Sequence, residues 1–191
     1  MKKNRNTVYM NKKNKTLYDL RKLKQLKKKK VLLYRLYLQG LDNEIEEMGF
    51  KEMNIECYRI VDNPATDINF LPQKFKPGRE DRLPIIPPED WVKFNSKYKK
   101  RHISNCTLSH FMTEEDCRKM INERFNKDVL RMGKEKATRR KENLGTHIIK
   151  MKYKKGDGLW GNQDQAHIEF LPYEGIDFKK RIDYDFGYKE I

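Results

Sequence analysis

The stretch THIIKMKYKKGDGLW, residues 146–160, decides the fold class of this chain. Its first half alternates with a period of two, with Ile149, Met151 and Tyr153 in one set of positions and Ile148, Lys150 and Lys152 in the other. This alternation is typical of a strand with two different faces, and the glycine-rich residues 155–158 have the composition of a tight turn. The stretch therefore predicts an antiparallel β-hairpin.

Further elements are predicted on both sides of this hairpin. Residues 167–171 and 181–188 predict two more strands, and Ile55–Val61 predicts another near the start of the body. Residues 43–48 predict a short helix, and a longer helix is predicted over 113–140, where acidic residues open the first turn and basic ones close the last. We therefore predict an α+β fold: a basic N-terminal arm and long helix, central helices, and a small antiparallel β-sheet in the C-terminal third.

Composition divides the chain into five segments. Residues 72–88 hold five of the seven prolines, so they can form neither a helix nor a central strand. The predicted segments are a basic tail over 1–15 that would be disordered alone, a basic amphipathic helix over 16–41, a helix and strand of the body over 42–71, a proline-rich extended connector over 72–88, and an α+β body with the C-terminal sheet over 89–191.

Positive charge is concentrated at one end of the chain. Residues 1–41 hold 14 Lys and Arg against one acid, Asp19, a net charge of +13, whereas the other 150 residues hold 29 basic and 27 acidic residues, a net of +2. A segment this one-sided repels itself unless a polyanion lies against it. The pattern favours a nucleic acid as the partner, and it does not distinguish DNA from RNA.

The candidate nucleic-acid-binding residues are the cations of this arm. They are Lys2, Lys3, Arg5, Lys12, Lys13, Lys15, Arg21, Lys22, Lys24, Lys27, Lys28, Lys29, Lys30 and Arg35. If they make roughly 6–10 phosphate contacts, counterion release predicts a steep salt dependence, with a slope of about −0.9 per contact on duplex DNA. Interleaved tyrosines could stack on unpaired bases. The alternatives are a solvated helix face, an anionic membrane surface, which is less favoured, and an acidic protein groove.

Three smaller basic patches could extend this footprint. They lie at residues 97–101, 139–141 and 150–155, and the last one presents alternating lysines along a predicted strand face. An ordinary exposed strand face balanced by the acidic C-terminal stretch explains that last pattern equally well.

A metal site could be formed by His102, Cys106, His110 and Cys117, because nitrogen and sulfur ligands suit tetrahedral zinc. In a helix, residues 102 and 110 would be about 12 Å apart, too far to share one ion. The spacing fits no structural zinc pattern, so buried thiols and ordinary histidines are the favoured interpretation. We predict no metal and no cofactor.

The weak candidates for catalytic residues are His147, His167 and Glu169. The two histidines could form an acid and base pair if their strands were neighbours, with Glu169 on the same face as His167. However, the chain has no phosphate-cradling glycine loop and no recognisable nuclease or hydrolase motif. A non-enzymatic protein is therefore favoured over an enzyme.

Cysteine usage and hydropathy set the expected compartment. Three cysteines at uneven spacing argue against a disulfide framework, and the mean hydropathy of −1.01 comes with no 18-residue apolar stretch. We expect a cytoplasmic or other reducing intracellular location, which includes the interior of a virus or phage particle, and no transmembrane segment.

Together these patterns predict a non-enzymatic nucleic-acid-binding structural or accessory subunit of a larger nucleoprotein assembly, an RNP or a virion. The basic arm would anchor it and the body would contact protein neighbours. One alternative is a small nuclease or nucleic-acid-acting effector that uses the His147, His167 and Glu169 set. Another is a protein-binding inhibitor or adaptor that occupies a nucleic-acid channel.

Overall fold

The computed structural model describes residues 32–72, 74–77, 83–162 and 166–191 of the chain. The helices in these ranges are α1 Arg35–Leu38, α2 Asp42–Glu47, α3 Ser96–Asn105, α4 Glu114–Met132 and α5 Lys134–Glu142, with short 3-10 helices at Asp67–Phe70, Pro88–Lys93 and Lys179–Arg181. The strands are β1 Ile55–Val61, β2 Leu108–Phe111, β3 His147–Tyr153, β4 Gly158–Asn162, β5 His167–Pro172 and β6 Lys189–Glu190. None of the described helices is both long and apolar enough to cross a lipid bilayer.

In the described ranges the strands form one antiparallel six-stranded sheet in the order β4-β5-β2-β1-β3-β6. The α+β class is therefore confirmed, but the prediction of a sheet confined to the C-terminal third was wrong. The predicted hairpin over residues 146–160 was wrong as well, because β5, β2 and β1 lie between β4 and β3 in the sheet. The central strands β1 and β2 come from the first two thirds of the chain, and β1 pairs along its whole length with β3, from Ile55 opposite Tyr153 to Val61 opposite His147. Alone, the C-terminal strands would have an unpaired sheet edge and an uncovered apolar face. The earlier strands β1 and β2 pair with that edge and extend that face.

One face of the sheet carries the largest core cluster. Cys57, Leu108, Met151 and Phe170 are fully buried there, because every second residue of each strand points to the same side. The 3-10 helix that ends at Phe70 and the C-terminal stretch around residues 176–188 cover this face.

The helices cover the opposite face. Cys117 and Met120 of α4 pack on Phe111 and Ile148, and α3 packs farther along the sheet. A second cluster joins α3 to the N-terminal segment, with Leu38, Leu41, Trp91, Ile103 and Leu171 at its centre. The described part of the proline-rich connector also enters this second cluster through the buried residues Leu83 and Ile86.

A glycine divides the helix that was predicted over residues 113–140. Thr113 caps its start as expected, accepting a hydrogen bond from the Asp116 amide at 3.0 Å. Gly133 then adopts φ 83°, a conformation that favours glycine, so that α4 ends at Met132 and α5 begins at Lys134. The single long helix was therefore a wrong prediction.

The predicted strand over residues 181–188 was also wrong. Arg181 ends a 3-10 helix, and the following residues run as turns until the two-residue strand β6. Side-chain ion pairs fix this stretch: the Arg181 guanidinium donates two hydrogen bonds of 2.7 Å to Asp157, and Asp183 lies 2.8 Å from Lys152. The apolar residues in it, such as Ile182, face the first core cluster.

The helix predicted within residues 16–41 lies mostly outside the described residues, as do the 13 arm cations that precede Arg35. Its described end is α1, which is followed by a turn at Gly40. Leu38 and Leu41 are buried, and the Leu33 amide donates a hydrogen bond of 2.8 Å to the Pro172 carbonyl at the end of β5. The chain after residue 31 is therefore part of the body.

Candidate functional site

The two candidate catalytic histidines do not lie together. His147 begins β3 and His167 begins β5, and strands β1 and β2 lie between them, which separates the two strands by about 14 Å at ordinary strand spacing. The pairing also places them on opposite faces, because His147 lies opposite the inward residue Val61 and His167 lies opposite Phe111. The acid and base pair required the two strands to be neighbours, and this condition is not met.

Glu169 is a buried carboxyl on the helix-covered face of β5. Only 4% of the residue is exposed, and Ser104 at the end of α3 donates a hydrogen bond of 3.2 Å to it. Burial raises the pKa of Glu169 to about 7, although hydrogen bonds from Ser104 and Thr107 act in the opposite direction. Burial therefore brings the pKa of this carboxyl close to neutral pH, its hydrogen-bond partners are hydroxyl groups, and His147 is too distant to be its partner.

Glu169 should make the stability of the fold depend on pH. Because the folded-state pKa of about 7 lies above the ordinary 4.5, the folded chain holds a proton that the unfolded chain has released, so stability falls as pH rises from 4.5 to 7. We expect Glu169→Gln to remove a penalty of about 3 kcal/mol at pH 8 and almost none at pH 4.5. Urea unfolding of both chains at the two pH values measures this, and an equal difference at both would contradict it.

The four candidate metal ligands make other contacts. His102 Nε2 lies 2.9 Å from the Tyr37 carbonyl, and His110 Nε2 lies 3.0 Å from the Tyr153 hydroxyl on the first core face. Cys106 belongs to the cluster around α3, and Cys117 lies on the opposite side of the sheet from His110. Within the described ranges, no three or more His, Cys, Asp and Glu side chains are placed to hold a metal ion.

The three cysteines are buried thiols. Cys57, Cys106 and Cys117 are free and fully shielded from solvent, and burial raises the pKa of each thiol above its usual range. A protonated, shielded thiol is a poor nucleophile and a poor metal ligand.

A cleft beside β1 and β2 was not among the predicted sites. Its centre is Arg59 of β1, which is only 7% exposed although it carries a charge. Its guanidinium donates to the Asn69 carbonyl from Nε at 2.9 Å and from Nη2, and to the Ser109 carbonyl from Nη1. Within the described residues, one register pair, Tyr58 with Phe111, joins β1 to β2, so these two strands diverge where Arg59 is inserted.

Two of the cavities lined by described residues border Arg59. The larger has a volume of about 260 Å³, and the described residues that line it are Arg59, Ile60, Asn69, Lys76, Ser109, Phe111, Met120, Arg124, Leu144 and His167. The smaller has about 100 Å³ and includes Lys74, Ser104 and Thr107. Among the described lining residues of both cavities there are cations, hydroxyls and amides, but no Asp or Glu. The larger cavity is called the Arg59 cleft below.

One signal in the sequence pointed to this cleft. Arg59 occupies the same alternating set as Cys57 and Val61, so a strand over residues 55–61 with these two apolar residues inward must also turn an arginine inward. A buried cation needs acceptors or an anion, and it marks a functional position more often than an exposed cation does.

The smaller basic patches of the body are largely neutralised by ion pairs. In the patch at 150–155, Lys150 lies 2.6 Å from Glu56 and Lys152 lies 2.8 Å from Asp183. In the patch at 139–141, Arg140 lies 2.9 Å from the buried residue Asp128. Such pairs leave little positive potential on these faces to attract a polyanion.

Comparison of the chain with protein-family models, with curated proteins and with solved structures found no match.

Proposed function

We propose that this protein is a non-enzymatic nucleic-acid-binding structural or accessory subunit of a larger nucleoprotein assembly, an RNP or a virion, anchored by its basic arm. The observation that carries the proposal is the charge partition: a net charge of +13 in residues 1–41 and of +2 in the rest. Thirteen of the 14 arm cations precede Leu32. They are therefore separate in sequence from the folded body.

The body supports this division of roles. Its lysines and arginines are repeatedly matched by carboxylates, as in the half-buried pairs Lys99 with Glu44 at 2.7 Å and Arg118 with Glu114 at 2.9 Å. A surface that neutralises itself suits contact with protein neighbours, whereas an arm with one acid needs an external polyanion. The effector alternative has less support, since the two histidines on which it depended are on opposite faces.

The test is fluorescence-anisotropy binding to single- and double-stranded DNA and RNA across a salt series. The full chain is compared with a chain that begins at Leu32, because a cut after residue 41 would remove Leu38 and Leu41 from the core. For 6–10 phosphate contacts, we expect log K to fall with log salt at a slope of about −5 to −9 on duplex DNA, and the shortened chain to lose this binding.

Two other outcomes would overturn the proposal. If the shortened chain remains folded by circular dichroism and keeps the affinity of the full chain, the arm is not the anchor and the inhibitor or adaptor alternative gains. If probes incubated with the full chain, with or without Mg²⁺, are cleaved, the protein is an enzyme. An Ala substitution at His167 would then show whether that residue takes part.

A further inference from the structure

We propose that the Arg59 cleft binds a nucleoside monophosphate unit, either a free nucleotide or one nucleotide of a nucleic-acid strand. The site belongs to the folded body and not to the arm, so the inference goes beyond the proposed function and does not depend on it.

The first argument is the state of Arg59. A guanidinium has five N–H donors, and in this structure three of them are used, all by main-chain carbonyls. Within the described part of the chain no carboxylate pairs with Arg59. A buried cation therefore borders the cleft, and two of its N–H groups have no acceptor among the described residues. Burial of an unpaired charge is costly, and a bound anion would compensate it.

The second argument is the sign of the charge around the cleft. Lys76, Arg124 and His167 line it together with Arg59, and its described lining includes no acid. Ser109 and Asn69 add a hydroxyl and an amide, both of which can hydrogen-bond to phosphate oxygens. The planar arginine fork matches the geometry of a phosphate, and such charge-assisted hydrogen bonds are among the stronger ones in proteins.

The third argument is the apolar part of the same cleft. Ile60, Phe111, Met120 and Leu144 line it, and the volume of about 260 Å³ exceeds what a bare phosphate needs. The Phe111 and His167 rings lie 5.4 Å apart with their planes tilted by 58°, so they are two separate aromatic rings, against either of which a base can pack. Cations beside apolar and aromatic side chains suit a ligand with both a phosphate and a base.

The experiment follows the Met120 methyl signal by NMR in the full chain labelled at methionine methyls, with the signal assigned through Met120→Leu. The chain is titrated separately with AMP, UMP, adenosine, inorganic phosphate and a trinucleotide. We expect AMP or UMP to shift the signal saturably, and adenosine and inorganic phosphate each to bind more weakly. A shift by the trinucleotide identifies a strand as the source of the nucleotide, and a shift by the monophosphates alone identifies a free nucleotide.

Two matched variants test the mode of binding. Arg124 is exposed on α4 and lines the cleft, whereas Lys119 is exposed on the same helix but turned away by about 140°. We expect Arg124→Gln to weaken monophosphate binding by about tenfold or more, and Lys119→Gln by less than about twofold. Lys76→Gln should act in the same direction as Arg124→Gln.

The proposal is overturned if no monophosphate shifts the Met120 signal at millimolar concentration. It is also overturned if Arg124→Gln and Lys119→Gln weaken binding equally, since binding would then follow net charge alone. If inorganic phosphate binds as tightly as AMP, the nucleotide assignment fails and the cleft is a simple anion site.

Discussion

Replacement of all four lysines at residues 27–30 by glutamine is expected to lower the affinity for nucleic acid by about three to four powers of ten at 0.1 M salt. Each lost phosphate contact reduces the salt slope by about 0.9, which corresponds to slightly less than one power of ten at that concentration. The slope of log K against log salt should therefore become shallower by about 3 to 4. Fluorescence anisotropy of the full-length variant across a salt series measures both quantities.

The control for this variant has the same net charge. Lys97, Lys136, Lys154 and Lys155 are exposed on the body, and replacing all four by glutamine removes the same number of charges. We expect the affinity of this control for nucleic acid to fall by less than about tenfold, because attraction between distant charges is screened within about 8–10 Å at these salt concentrations. Equal losses in the two variants would show that total charge, and not the arm, determines the binding.

Substitution of Asp157 by alanine is expected to lower the free energy of unfolding by about 3 kcal/mol, which is a large part of the stability of a typical domain. The carboxylate receives two hydrogen bonds from Arg181 and one of 2.7 Å from the Lys154 amide. Without it, the half-buried Arg181 guanidinium loses its partner. The expected loss is at the lower end of the 3–5 kcal/mol range because Arg181 keeps some contact with solvent.

Urea unfolding compares this variant with Asp90→Ala. The Asp90 carboxylate also pairs with a cation, Lys93 at 2.6 Å, but both side chains of this pair are exposed. Breaking an exposed pair costs about 0–1 kcal/mol. If the two substitutions lower the free energy of unfolding by the same amount, the contact between Asp157 and Arg181 does not hold the C-terminal stretch on the sheet.

Local sequence patterns predicted the elements whose signals are short-range. The alternating strand over residues 147–153 and the strand Ile55–Val61 are found where they were expected. The chain also turns after residue 153, but the predicted hairpin is not formed, because β3 and β4 are not neighbours in the sheet. The cap at Thr113 is present as well. These features depend on neighbouring residues, so a local pattern is enough to identify them.

The sheet order could not be predicted because it depends on contacts between distant residues. β2 has four residues, three of them buried, and so has neither the length nor the clear alternation of a typical edge or surface strand. Its place between β1 and β5 separates His147 from His167 and opens the cleft at Arg59. The sequence correctly identified Glu169 and His167 as polar residues of one strand face, but their partners on α3 and β2 depend on the fold.

The attachment of the N-terminal segment has a mechanical consequence. Leu33 donates a hydrogen bond to Pro172, the last residue of β5, and Leu32 forms a bridge with Tyr173, which directly follows it. Strand β5 is hydrogen-bonded to neighbouring strands on both sides. A pull on the preceding residues would therefore act on β5, whose ladders with β4 and β2 can distribute the force across the sheet. Leu38 and Leu41, held in the core, provide a second point of resistance. The body is thus suited to act as a load-bearing end of a tether.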